Sequence, residues 1–271
     1  MVLLALLAVA VAGLLVAQIV PWPEGGRYPR YEHDHDALMV SDTPRATKAV
    51  TVVFVGNSLT FHNDLPAMLA NVASSDPGNT TRLQVKGETF PNGVLDEVRS
   101  KTGALDWIRS HHVDYVVLQD HGQWYDDPAY DGVGAVDAWN RAMWAQGVTP
   151  LLFETWADDA KSEVYTDSGY RTFGSNPAQD TARSANATEG VARTLGLHAV
   201  PVGDVFEAAY ETRGAPDVLG PDHHHPSVAG TYLAALVFYR YFTGRTGEAV
   251  TYRPAGLSAQ GAAALKRINA G

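Results

Sequence analysis

Thr51-Val52-Val53-Phe54-Val55-Gly56-Asn57-Ser58-Leu59-Thr60 is an apolar run that ends abruptly at a glycine. Hydrophobic side chains on consecutive positions mark a strand buried on both faces, as in a parallel sheet. Four further short runs share this character, at 83–85, 115–118, 150–153 and 199–202. Between and after them, 65–73, 94–109, 136–145, 178–195, 227–242 and 258–268 read as helices, with Pro226 suited to a first turn. Five strands with intervening helices predict one doubly wound α/β domain over 49–271. In such sheets ligands sit beyond the carboxyl ends of the strands, so the residues following each run are the ones to inspect.

Composition narrows the function classes. With 20 basic against 30 acidic residues the chain carries a net charge of −10, which argues against a nucleic-acid or anionic-membrane partner. Cysteine is absent, which removes disulfides, thiolate nucleophiles and Cys-ligated zinc.

From residue 1 to 20 only Gln18 is polar, and a helix of that length spans roughly 30 Å, about one hydrocarbon core. This stretch reads as a signal peptide or a membrane anchor, which would direct the chain to the membrane or the secretion machinery and place it outside the cytoplasm. The small-residue sites fall early, which leans toward an anchor. Arg27 and Arg30 sit on the supposed outer side, against the positive-inside rule. Residues 21–48, with four prolines and two adjacent glycines, read as a flexible linker. His33-Asp34-His35-Asp36 within it is a metal-ligand pattern on paper, and in a linker a solvated run.

The first strand delivers Ser58 to the start of a turn, where its hydroxyl is exposed and unpaired backbone N–H groups can meet a forming anion. Gly-Asn-Ser is also ordinary turn and cap chemistry. The complement lies far downstream in Gly220-Pro221-Asp222-His223-His224-His225-Pro226-Ser227. A serine hydroxyl needs a base; His225 ahead of Pro226 would be rigidly placed, and Asp222 three residues earlier can fix its tautomer. Three adjacent histidines also suggest zinc, but sequence neighbours point in different directions and no acidic cluster matches them. His223 and His224 read as loop or rim residues.

A strand ending in Gly-Asn-Ser-Leu-Thr, with Asp-x-x-His-Pro near the C-terminus, resembles the SGNH/GDSL hydrolase superfamily, in a branch with Asn57 where aspartate is commoner. The resemblance spans about 49–243. It implies a three-layer α/β/α, flavodoxin-like fold and ester hydrolysis by Ser58, His225 and Asp222 without metal or cofactor. It also implies an oxyanion hole. Ser58 supplies one N–H, Gly87 fits the family's glycine after the second strand, and Gln119 stands where the third block would be, in a Leu-Gln-Asp variant. His121 competes with Gln119 for that last role.

Trp124, Tyr125 and Trp156 offer an aromatic wall for a sugar ring, with Asp126, Asp127 and Asp158 for its hydroxyls. Aromatics at such positions also serve as packing. Asn57, His121, Trp124 and Trp156 are thus candidate substrate-binding residues. The expected activity is deacylation of a small acyl ester or acylated carbohydrate. The rival readings are acyl transfer to a surface glycan and a non-catalytic glycan-binding module on the same fold.

Overall fold

The computed structural model describes residues 38–127, 130–166 and 173–271. The apolar N-terminal stretch and the His33–Asp36 run lie outside the described residues.

The sheet has six strands in the order β1-β3-β2-β4-β5-β6. They are β1 (Met39–Val40), β2 (Lys48–Gly56), β3 (Thr81–Thr89), β4 (Tyr115–Leu118), β5 (Thr149–Phe153) and β6 (His198–Val200). All five strands anticipated from the sequence are present and parallel. The addition is β1, which pairs antiparallel with β3, Met39 opposite Val85. Here the end of the stretch expected as a flexible linker is part of the sheet: Ser41 exchanges hydrogen bonds with Leu83 through its N–H (2.8 Å) and its Oγ (2.8 Å).

Helices cover both faces. Along β2, Val52 and Phe54 face one core with α2 (Leu65–Ser75), α7 (Val202–Glu211), α8 (Val228–Thr243) and α9 (Ala259–Ala270). Val53 and Val55 face the other, with α3 (Leu95–Lys101), α4 (Ala104–Ser110), α5 (Gly132–Trp144) and α6 (Pro177–Leu195). The short α1 (Ser58–Phe61) follows β2 directly. Successive side chains of a strand point to opposite faces, so an unbroken apolar run is what a three-layer fold requires.

Two boundaries differ from the sequence reading. The helix expected over 94–109 is broken at Thr102, in extended backbone, where Oγ1 donates to Val98 O (2.8 Å) and accepts from Ala104 N (3.3 Å). A hydroxyl that offers the backbone local partners ends helices in this way. The second is the last strand, which the sequence reading ran to Val202 and which gives way there to α7, a helix it did not expect. Pro201 has no N–H for a ladder, and the chain turns at once into helix.

Glu154, just past β5, caps that helix: its backbone O accepts Gly203 N (3.1 Å) and its Oε1 accepts Asp204 N (3.0 Å). A Cβ at Gly203 would lie 2.5 Å from Thr155 O, so only glycine lets the helix come this close. Burial, reinforced by the Asp204 charge, pushes the Glu154 carboxyl up to about 8. A folded-state pKa raised from 4.5 means the folded protein keeps a proton that the unfolded chain has lost. Stability therefore falls as pH rises from about 4.5 toward 8. Glu154→Gln is expected to flatten this limb and to raise the melting temperature at pH 8 more than at pH 5, as thermal unfolding at the two pH values will show.

The sheet order reverses between β2 and β4, the switch point at which such sheets open a crevice. Ser58 leaves β2 there and Gln119 to His121 leave β4 beside it. Among the described residues, no helix is long and apolar enough to cross a membrane.

Candidate active site

Ser58 is the first residue of α1, where an N–H has no partner inside the helix. Its Oγ lies 2.9 Å from His225 Nε2, and His225 Nδ1 lies 2.7 Å from Asp222 Oδ2. Residues 167 positions apart thus meet over the carboxyl end of β2.

The loop that carries the imidazole is closed tightly. Leu219 and Pro226 form an antiparallel bridge, Gly220 N donates to His225 O (2.8 Å), and His223 takes a left-handed φ of 62°. Asp222 Oδ1 accepts the backbone N–H of His224 (3.2 Å) and His225 (3.0 Å). Burial alone would raise the Asp222 carboxyl, but the His225 hydrogen bond and charge, with those two N–H groups, hold it far below the usual carboxylate range. It stays ionised at any pH near neutrality, and as an acceptor it fixes the His225 proton on Nδ1 and leaves the Nε2 lone pair for Ser58.

Asn63, in left-handed backbone after α1, ties the two segments together: its Nδ2 donates to Pro226 O (2.9 Å) and Thr231 Oγ1 (3.0 Å). His62 beside it lies flat on His225, ring centres 4.1 Å apart and planes 11° from parallel. Burial, then His225, lowers His62 to about 4, so it stacks as a neutral ring. Aromatic pairs contribute roughly 1 kcal/mol beyond burial, about fivefold in rate if spent on holding the base. His62→Ala is expected to lower kcat/KM on p-nitrophenyl acetate by about that factor, and His62→Phe to restore most of it. Equal loss in both variants would show that stacking is not the contribution.

The expected oxyanion residues are placed differently. Gln119 is fully buried and both ends of its amide are engaged. Oε1 accepts Asn57 N (2.9 Å) and Thr60 Oγ1 (2.9 Å), while Nε2 donates to Asn57 Oδ1 (3.0 Å). It braces the turn that carries Ser58, and with no exposed surface it presents no group to the substrate side. Gly56 must be glycine for this brace, since a Cβ would lie 2.4 Å from Gln119 Oε1.

Gly87 is likewise no loop residue: it lies within β3, opposite Phe54, and the strand continues to Thr89 opposite Gly56. Lys86-Gly87-Glu88 imitates a turn in sequence, but Lys86 and Glu88 share a face and pair at 3.0 Å. The glycine that follows the strand is Gly93, whose carbonyl accepts Asn57 Nδ2 (3.0 Å) and whose N–H donates to Phe90 O (3.1 Å).

Asn57 is also buried and spent. Its Oδ1 takes Leu59 N (3.1 Å) and Gln119, and its Nδ2 approaches His121 Nε2 at 3.4 Å as well as Gly93 O. It shapes the nucleophile turn and presents nothing to substrate. Since its Nδ2 can only donate, His121 Nε2 accepts and the His121 proton sits on Nδ1. Burial, then His224 and His225, lowers His121 to about 3, so it is neutral. Of the two residues weighed for the third donor, Gln119 is fully buried, whereas His121 is half-buried and its Nδ1–H has no partner among the described residues.

Trp156 belongs to the core, stacked on Phe206 at 4.3 Å with its Nε1 donating to His224 O (3.0 Å). Trp124 stays at the site, half-buried, 4.1 Å from the His121 ring. Asp158 binds His224 Nδ1 (2.8 Å) and Asp159 binds His223 Nδ1 (2.8 Å). Each imidazole of the triple-histidine run therefore has its own carboxylate, an arrangement the sequence reading missed. The signal was there: two adjacent aspartates follow β5 at the active end. Among the described residues, no group of three or more His, Cys, Asp or Glu side chains is placed to hold a metal ion.

No protein-family profile and no curated protein matches this chain. Solved structures do. A DUF4886 family protein from Bacteroides uniformis aligns with a TM-score of 0.68 at 15% identity, covering 82% of this chain and 93% of that one. A candidate SGNH hydrolase from Slackia heliotrinireducens aligns with a TM-score of 0.57 at 25% identity, covering 72% of this chain and 99% of its own. An acetylxylan esterase from Geobacillus stearothermophilus aligns with a TM-score of 0.52 at 17% identity, covering 75% and 97%. The chain has the three-layer fold of the SGNH/GDSL hydrolases and is similar, at 25% identity, to a candidate member of that superfamily.

Proposed function

We infer that this chain is a serine esterase that deacylates a small acyl ester or an acylated carbohydrate through an acyl-enzyme on Ser58. The observation that carries the reading is the continuous line from Asp222 through His225 to Ser58, at 2.7 Å and 2.9 Å.

His225 Nε2 takes the Ser58 proton as Oγ attacks the ester carbonyl carbon. The anion that forms meets the Ser58 N–H, with His121 Nδ1–H as the side-chain donor. Collapse breaks the bond to the alcohol oxygen, which leaves with the proton from His225. Water then gives a proton to the same nitrogen and attacks the acyl carbon, releasing the acid and restoring Ser58. Ionised Asp222 stabilises the imidazolium in both halves. The acetylxylan esterase among the structural neighbours supports a carbohydrate ester as substrate. The apolar residues 1–20 support a site of action outside the cytoplasm, on a secreted or anchored protein.

A fluorophosphonate probe tests the mechanism directly. The expected result is stoichiometric labelling that peptide mapping places on Ser58 and that Ser58→Ala abolishes. Folded protein that takes no label would turn the reading toward a glycan-binding module on this fold.

A further inference from the structure

His224 sits beside the two functional imidazoles and is held by three hydrogen bonds. Its N–H donates to Asp222 Oδ1 (3.2 Å), and its carbonyl accepts Trp156 Nε1 (3.0 Å). Its Nδ1 meets Asp158 Oδ1 at 2.8 Å, and Asp158 Oδ2 is itself fixed by Ser162 Oγ at 2.7 Å. The ring stands edge-on to His225, centres 4.8 Å apart, and nearly parallel to His121 at 6.0 Å. Its side chain remains 29% exposed, and among the described residues Nε2 has no protein partner. Burial opposes a charge on this ring, yet the Asp158 hydrogen bond and charge, followed by Asp222, hold its pKa above the ordinary histidine value.

An imidazole so firmly oriented, with an open nitrogen beside the reacting groups, is built to hold something. Three carboxylates, of Asp158, Asp159 and Asp222, stand around the same histidine run. They disfavour an anionic ligand and suit a neutral oxygen that accepts a charge-assisted hydrogen bond. The nearest ring is that of His225, which returns its proton to the departing alcohol, so the bound oxygen belongs to the alcohol side of the ester.

We propose that His224, oriented by Asp158, is a specificity-determining residue whose Nε2 binds a second hydroxyl on the alcohol, close to the scissile ester oxygen. The proposal rests on the esterase reading of Ser58 and narrows its substrates to esters of polyhydroxylated alcohols.

Two esters of equal length provide the test, 2-hydroxyethyl acetate and propyl acetate, in which a methyl replaces the hydroxyl. The unmodified protein is expected to favour the hydroxyethyl ester in kcat/KM by about tenfold, the scale of one charge-assisted hydrogen bond. His224→Ala is expected to bring the ratio to within about twofold. Asp158→Asn, which leaves the imidazole in place but frees its orientation, gives the same readout where the alanine variant does not fold. The proposal is overturned if the unmodified protein shows no preference, or if the variants lose both activities while keeping the ratio. Fluorophosphonate labelling separates the two levels. A labelled enzyme without preference sinks only the role of His224, whereas an unlabelled, inactive one sinks the esterase reading with it.

Discussion

Ser58→Ala is expected to lower kcat on p-nitrophenyl acetate by about 10⁴-fold or more, with KM little changed. The reason is that Oγ is the atom that becomes acylated; the alanine protein still binds the ester but must rely on water placed by His225. Because Oγ makes its hydrogen bond to His225 alone among the described residues, its loss leaves the fold intact, and the melting temperature should stay within about 2 °C. His225→Ala should match Ser58→Ala, and the double variant should be no worse than either, since groups that act as one unit are lost together. A single variant within tenfold of full activity would place the chemistry elsewhere.

The largest stability effect is expected at Gln119. Gln119→Leu fills a similar volume but strands Asn57 N and Thr60 Oγ1 beneath a fully buried side chain, and leaves Asn57 Oδ1 with Leu59 N alone. At about 1–3 kcal/mol for each buried group left without a partner, the loss is roughly 3–5 kcal/mol, or a melting temperature lower by about 10 °C. Activity should fall with it, because the same turn sets the Ser58 hydroxyl against His225. Had Gln119 been an oxyanion donor, the substitution would instead depress kcat in a protein of unchanged stability. Chemical denaturation and kinetics on one preparation separate these outcomes.

Much of this fold is written in local pattern. Two-sided burial forces consecutive apolar residues, so every central strand was visible, and glycine at 56 marked where the first one ends. What escaped lies where polar residues serve the interior. Lys86 and Glu88 pair within β3 and hide two residues of strand, which turned Gly87 into a false loop residue. β1 is two residues long and gains its place only through its neighbour, a contact no periodicity reveals.

At the site, the spacing of Asp222 and His225 and the strand-end position of Ser58 were legible because each is a local arrangement. The roles of Gln119 and Trp156 were not, because they depend on which direction a side chain takes after the strand ends. His62 gave no sequence signal of its own, and Asp158, visible after β5, was read as a sugar ligand rather than as the partner of His224. Each acts only by facing a residue more than sixty positions away.

Gly56, Asn57 and Gln119 interlock so closely that they constitute a single heritable unit. Aspartate at 57, the commoner choice in the family this chain resembles, would turn a second acceptor toward the Gly93 carbonyl, where Asn57 Nδ2 now donates. Any side chain at 56 would expel Gln119. Mutational libraries that vary one position at a time will therefore score all three as intolerant. Combinatorial ones can recover aspartate at 57 only alongside compensating changes at 93 or 119. The same coupling makes the asparagine variant of the motif hard to leave once acquired, since every single step away passes through a chain with an unsatisfied buried amide.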